Sequence, residues 1–285
     1  MTDRITVVVT GGNRGIGFAA AQEFVRRGCR VVLVVRDRAR GERAAEALGD
    51  TASVVAGDLS ALSGMRSAAA ELLRVVPHID VLVHNAGVWP TRLERTGDGF
   101  EQAFAVNHLA PFLLNHLLEE RLRADRTRVI QVSAGLYVKG RVDPERTPTG
   151  GDFHRMRTYC TTKLANLLTV PLFAERWEGQ GPTVLAVHPG VVRTSLGDPG
   201  GITGLLLKAV KRTWAEPEAA VAPLVRPALA GAANGGYYDG DRPTPLQPPA
   251  TDALLARRVW DQALALTGLE DDADRLGSPG APTPA

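Results

Sequence analysis

Tyr159-Cys160-Thr161-Thr162-Lys163 sets a phenol and an ammonium group four residues apart. On a helix that spacing puts both on one face, about one turn and 6 Å of rise apart. A cation beside a phenol favours the phenolate, and so draws the tyrosine down from its ordinary pKa near ~10. The pair would then exchange a proton with an alcohol or a carbonyl near neutral pH. The chain holds four lysines, Lys139, Lys163, Lys208 and Lys211, so one falling at this spacing is informative. On a solvated helix face the same pair would do no chemistry, and the choice rests on the rest of the chain. Cys160 adjoins Tyr159, but adjacent helix positions point in different directions. With two cysteines, Cys29 and Cys160, there is neither a disulfide framework nor a metal-ligand cluster. Both read as small packing residues in a reducing cytoplasm, and no metal site is expected.

Strands and glycine turns must position that pair. Ile5-Thr6-Val7-Val8-Val9 is nearly continuous in β-branched residues, like a strand buried on both faces of a parallel sheet. It runs into Thr10-Gly11-Gly12-Asn13-Arg14-Gly15-Ile16-Gly17 and then a helix with Ala19, Ala20, Phe24 and Val25 on its buried side. In that context Gly11 suits the tight turn, Gly15 the close approach of backbone to a pyrophosphate, and Gly17 close packing of helix on sheet. The free amides and positive dipole end of the helix would face the phosphates. No Gly-Lys-Ser/Thr follows, so this is not a Walker loop.

A second strand, Arg30 to Val35, ends in Arg36-Asp37. Arg36, with Arg14, suits the 2′-phosphate of NADP; the alternative makes Asp37 the ribose ligand of NAD and Arg36 a surface residue. A third strand, Ala52 to Ala56, ends in Gly57-Asp58-Leu59, where Asp58 either meets an adenine amino group or closes a turn. A helix from about Ala61 to Val75 and a strand from Ile79 to Val83 lead to His84-Asn85-Ala86-Gly87. His84 reads as an orienting or packing residue, and the small residues after it leave room for a ligand at the strand's carboxyl end. A long helical stretch from about Gly99 to Arg123 carries Asn107, and Pro111 should disturb it and free a backbone carbonyl that holds a water. The fifth strand ends on Ser133, and a polar, turn-rich insert then reads as a surface loop beside the site. The helix bearing Tyr159 and Lys163 continues through Leu167, Leu168 and Phe173. A sixth strand, Thr183 to Val187, leads into His188-Pro189-Gly190-Val191-Val192-Arg193-Thr194.

Net charge is +2 with no basic block, which excludes a nucleic-acid footprint. No apolar run reaches the length of a signal-peptide core or a membrane span. The expected location is therefore cytoplasmic.

Taken in order, these stretches resemble the short-chain dehydrogenase/reductase family. The matching pieces are Thr10 to Gly17, Asp58-Leu59, Asn85-Ala86-Gly87, Asn107, Ser133, Tyr159-x-x-x-Lys163 and Pro189-Gly190. Cys29 to Asp37, Val106-Asn-His-Leu109, Tyr159-Cys-x-x-Lys-Leu-Ala-Asn166, His188 to Thr194 and Gly236-Tyr237-Tyr238 are similar to its retinol dehydrogenase-like branch. The resemblance implies that Tyr159 is the general acid/base and that Lys163 holds the nicotinamide ribose and lowers the tyrosine pKa. Ser133 would bond the substrate oxygen, and Asn107 would support a relay water. Gly11, Asn13, Arg14, Gly15, Ile16, Gly17, Arg36, Asp58, Leu59, Asn85, Ala86, Gly87, Pro189, Val192 and Thr194 would complete the cofactor site. Animal members of the branch are often anchored near the N-terminus, and no such anchor is seen here.

The expectation is an α/β Rossmann fold: a doubly wound, mostly parallel sheet of about seven strands with helices on both faces, spanning residues 1–268 as one domain. An amphipathic lid is placed at about 195–215 and a disordered tail at 269–285. Pro223 and Pro227 should break or kink the helix after Ala215-Glu216-Pro217-Glu218. Leu254, Leu255, Val259, Trp260, Ala263 and Leu264 mark the last amphipathic helix. The function expected is hydride transfer between NADP(H), with NAD(H) as the alternative, and a carbonyl or alcohol on a largely apolar small molecule. Non-redox biosynthetic chemistry, or a silent dinucleotide-binding protein, are the competing readings. A homodimer or homotetramer would fit the family.

Overall fold

Eight strands form one sheet in the order β3-β2-β1-β4-β5-β6-β7-β8. The computed structural model describes residues 4–190 and 221–269; the lid at 195–215 and the tail from 270 lie outside them. Strands β1 (Thr6–Thr10), β2 (Arg30–Val35), β3 (Ala52–Ala56), β4 (Val81–His84), β5 (Arg128–Val132), β6 (Thr183–His188) and β7 (Tyr237–Asp239) pair in parallel. The eighth strand, β8 (Arg242–Pro243), is a two-residue antiparallel addition beyond the seven expected.

Val7, Val8 and Val9 have no exposed surface, as a strand covered on both faces requires. Side chains alternate between two cores. Val7, Val9, Val31 and Leu33 meet α1 (Gly15–Arg26), α2 (Arg38–Leu48) and α7 (Val221–Ala230) on one face. Val8, Val32, Leu82 and Val129 meet α3 (Leu62–Val75), α4 (Ala110–Leu117), α6 (Arg157–Arg176) and α8 (Ala253–Thr267) on the other. Strand order reverses between β1 and β4, which opens a crevice at their carboxyl ends, where open α/β sheets bind ligands.

Three expected elements differ. The stretch read as one helix from Gly99 to Arg123 is a π-helix (Phe104–Leu109), α4 and then α5 (Glu119–Asp125). Pro111 lacks the N–H that would reach back to the Asn107 carbonyl; the chain widens into a π-turn rather than breaking. Helix α7 runs unbroken through Pro223 and Pro227. Leu224, Val225 and Ala228 are buried in the core shared with α1 and α2, Pro227 is buried too, and Arg128 Nη1 donates to the Leu229 carbonyl at 2.7 Å. That packing offsets the missing donors. In α8, Val259, Trp260, Ala263 and Leu264 are buried as expected, whereas Leu254 is exposed. The register of the helix turns Leu254, in its first turn, away from the core.

Helix α6, which carries the Tyr/Lys pair, is fastened at its far end. Arg176 grips Glu119 of α5 through Nε at 2.9 Å and Nη2 at 2.7 Å, and Trp177 Nε1 donates to the same carboxylate at 2.9 Å.

Candidate active site

Gly11 and Gly15 sit at φ +65° and +56°, in the left-handed region where side chains are strained. A Cβ on Gly17 would lie 2.3 Å from Asn85 Nδ2 and 2.6 Å from the Gly11 carbonyl, so only glycine fits. The close packing expected of Gly17 is thus against the loop and the end of β4. Asn85 Nδ2 donates to the Thr10 carbonyl at 2.9 Å and to that of Gly11 at 3.3 Å. Thr10 Oγ1 accepts from the amides of Asn85 and Ala86, each at 3.0 Å. These bonds hold the glycine turn against Asn85-Ala86-Gly87. The role of Thr10 could have been found from its place at the end of β1, where a hydroxyl can bridge to the next strand's turn.

Arg14 occupies the N-cap of α1 and makes no side-chain cap, so the helix's first amides keep their hydrogen-bonding capacity. Ile16 and Asn13 are half-buried beside it. Arg14 and Arg36 are both exposed. Asp37, by contrast, is engaged: its Oδ1 accepts from the Arg40 amide at 3.0 Å as the cap of α2. Asp58 behaves as a turn residue, with Oδ1 accepting from Ser60 N at 3.0 Å and Ser60 Oγ at 2.7 Å; Leu59 is buried. Left-handed glycines, close-packed turn and uncapped helix fit the diphosphate of a dinucleotide.

Tyr159 and Lys163 are both buried, at 8% and 5% exposure. Lys163 Nζ donates to the Val132 carbonyl at 2.9 Å and lies 5.8 Å from the centre of the tyrosine ring. Burial brings the ammonium down to about 8. The phenol is pushed up, not down: burial outweighs any help from a cation that sits over the ring. The lowered tyrosine pKa expected from spacing alone is corrected on this point. Trp89 adds to the enclosure. Its ring stacks on Tyr159 with centroids 4.5 Å apart and planes 10° apart, and Nε1 donates to the Arg155 carbonyl at 2.6 Å. Spacing near the pair gave no hint of Trp89; its place two residues after Gly87 was the available signal.

Ser133 follows the carbonyl that Lys163 binds, and its Oγ is buried without a hydrogen-bond partner among the described residues. Asn107 is buried in the π-turn. Its Oδ1 accepts from Val88 N at 2.7 Å, and Nδ2 donates to Val88 O at 2.9 Å and Thr162 Oγ1 at 3.0 Å. The Asn107 carbonyl, left without a donor by Pro111, accepts from Asn166 Nδ2 at 2.7 Å. Asn166 lies one turn beyond Lys163 on α6, a spacing that could have marked it as part of the same face. His84 Nε2 donates to Asn115 Oδ1 at 2.8 Å in a buried, orienting arrangement. Pro189 is buried and Gly190 takes φ +90°; Val192 and Thr194 lie outside the described residues. The insert after Ser133 is rich in turns, yet it also docks inward. Thr147 is buried, and the Pro148 carbonyl accepts from Glu101 N at 2.7 Å.

A parallel sheet with a glycine turn at its switch point, and a buried Tyr/Lys pair bonded to the end of β5, are the features of a dinucleotide-handling oxidoreductase. The profile of the short chain dehydrogenase family matches residues 5–200. Human retinol dehydrogenase 13 is 36% identical over 281 residues, covering 93% of this chain and 85% of that protein. A Streptomyces sp. (strain C5) protein provisionally named daunorubicin C-13 ketoreductase is 37% identical over 273 residues, covering 92% of each. Among solved structures, an uncharacterized protein from Mycobacterium Paratuberculosis superposes with a TM-score of 0.75 at 29% identity, covering 93% of both chains. The chain belongs to the short-chain dehydrogenase/reductase family, in its retinol dehydrogenase-like branch, and is an oxidoreductase of the carbonyl/alcohol type. Members of the family bind NAD(P)(H).

Proposed function

We propose that this enzyme reduces a carbonyl on a largely apolar small molecule with NADPH, Tyr159 giving the proton. The observation that carries the reading is the buried Tyr159–Lys163 pair, with Lys163 bonded to the carbonyl just before Ser133, whose hydroxyl has no partner among the described residues, in a sheet whose first strand ends in a glycine turn fit for a dinucleotide. When bound, the cofactor supplies the hydride. Ser133 Oγ donates a hydrogen bond to the substrate oxygen, stabilising the charge that grows there. Tyr159, held as the neutral phenol by burial, donates its proton to that oxygen. This protonation state suits reduction rather than oxidation. Lys163 holds the nicotinamide ribose and places positive charge beside the phenol as it loses its proton. One lone pair of the Asn107 carbonyl is taken by Asn166, and the other is offered to a relay water.

The 2′-phosphate preference is supported by the exposed Arg14 and Arg36 and by the use of Asp37 as a helix cap. NAD(H) is the alternative. An apolar substrate is supported by Trp89 at the site and by a relative named for retinol. Among the described residues no helix is long and apolar enough to cross a membrane. A cytoplasmic location and a homodimer or homotetramer complete the proposal.

Consumption of NADPH with a panel of ketones and aldehydes tests the reading. Tyr159→Phe should keep cofactor affinity within about twofold and lower kcat by at least ~10²-fold, the usual scale of general acid catalysis. A variant that turns over like the parent would remove Tyr159 from the chemistry.

A further inference from the structure

Trp89 is held on three sides. Both main-chain groups of the preceding Val88 are bonded to the Asn107 side chain, at 2.7 and 2.9 Å, which aims the next residue. The indole N–H is fixed on the Arg155 carbonyl at 2.6 Å, where the chain enters α6. One ring face lies flat on Tyr159, 4.5 Å between centroids. Trp89 nevertheless remains half-exposed, while Trp177 and Trp260 are each only 1% exposed. One face of the indole is covered by the phenol, and the phenol itself is nearly enclosed at 8% exposure.

Resting on the reductase reading above, we infer that Trp89 is a specificity-determining residue for this reaction. Its inner face sets the plane of the Tyr159 ring, and its outer face takes an aromatic ring carried next to the substrate carbonyl. The indole offers a rigid, polarised surface on which an aryl group stacks in offset fashion, whereas a saturated ring of similar size gains contact only. Rigidity matters, because an anchor already fixed by Arg155 and Tyr159 loses little freedom when the substrate arrives. The stacking increment corresponds to about a two- to tenfold preference for the aryl compound.

The test compares acetophenone with cyclohexyl methyl ketone, using the full chain with NADPH, in the parent, Trp89→Phe and Trp89→Leu. The parent should favour acetophenone in kcat/KM, and Trp89→Phe should keep most of that preference. Trp89→Leu should lose it by about three- to tenfold, chiefly for acetophenone, with NADPH affinity unchanged within about twofold. Acetophenone should also quench part of the parent's indole fluorescence saturably, and Trp89→Phe should lack that component. An unchanged ratio in Trp89→Leu, or an equal loss on both ketones, overturns the inference and leaves the reductase reading standing. A parent that binds NADPH but reduces no ketone overturns the reductase reading, and the inference with it.

Discussion

The two residues proposed to bear on cofactor choice, Arg36 and Asp37, differ in what already holds them. The Asp37 carboxylate is spent on the first turn of α2, accepting from the Arg40 amide and lying 3.2 Å from the Arg40 guanidinium. Arg36 is exposed and makes no ion pair among the described residues. A guanidinium in that state can grip a phosphate with two parallel N–H groups. Arg36→Ala should therefore weaken NADPH binding roughly tenfold or more and leave NADH nearly unchanged, as read by titration at fixed salt. Loss of both cofactors in equal measure would place the 2′-phosphate elsewhere. At the proposed catalytic pair, the spacing of Tyr159 and Lys163 announced the partners, but their ionisation followed from depth of burial, which spacing does not report.

At the scale of elements, the π-turn shows how one proline shapes a site. Pro111 strips a donor from the Asn107 carbonyl, and Asn166 on α6 answers it, so two helices are joined at the level of Lys163. Helix α8 braces the same pair of helices from outside. Trp260 is 1% exposed and meets Phe112 edge-on at 5.0 Å and Phe173 at 4.6 Å between ring centres. Removing so large a buried ring leaves a cavity as well as lost transfer energy. Trp260→Ala is expected to lower unfolding free energy by about 3–5 kcal/mol in urea titration. A loss below about 1 kcal/mol would mean that α8 is not part of the cooperative core. The prolines of α7 carry the converse lesson: local preference predicted a break or a kink, yet the helix continues from Val221 to Ala230 with Val225 and Ala228 buried.

The molecule as a whole carries buried histidines that link its stability to pH. His84 ends β4 and His108 sits in the π-turn, and burial holds each down to about 4 against an ordinary value near 6.5. Below 6.5 the unfolded chain binds protons that the native state refuses, so stability falls as pH drops from 6.5 towards about 4. Each histidine should cost the native state about 2 kcal/mol at pH 5 relative to pH 7. Glu101, pushed up by burial, contributes in the opposite sense, so the comparison is made against a variant. His108→Gln should flatten the pH dependence of unfolding free energy between 7 and 5 by about that amount. A curve parallel to the parent's would show that His108 is not kept neutral by the fold.

The sequence by itself determined the alternation of strand and helix, the glycine turn after β1 and the spacing of Tyr159 with Lys163. Each is a local pattern: hydrophobic period, left-handed glycines and helical repeat are written over a few neighbouring residues. The tertiary structure decided that Trp89 covers Tyr159, that Asn166 answers the carbonyl freed by Pro111, and that the phenol is raised rather than lowered. Those facts depend on segments far apart in the chain meeting in a low-dielectric interior, where contact and desolvation, rather than sequence spacing, set the energies.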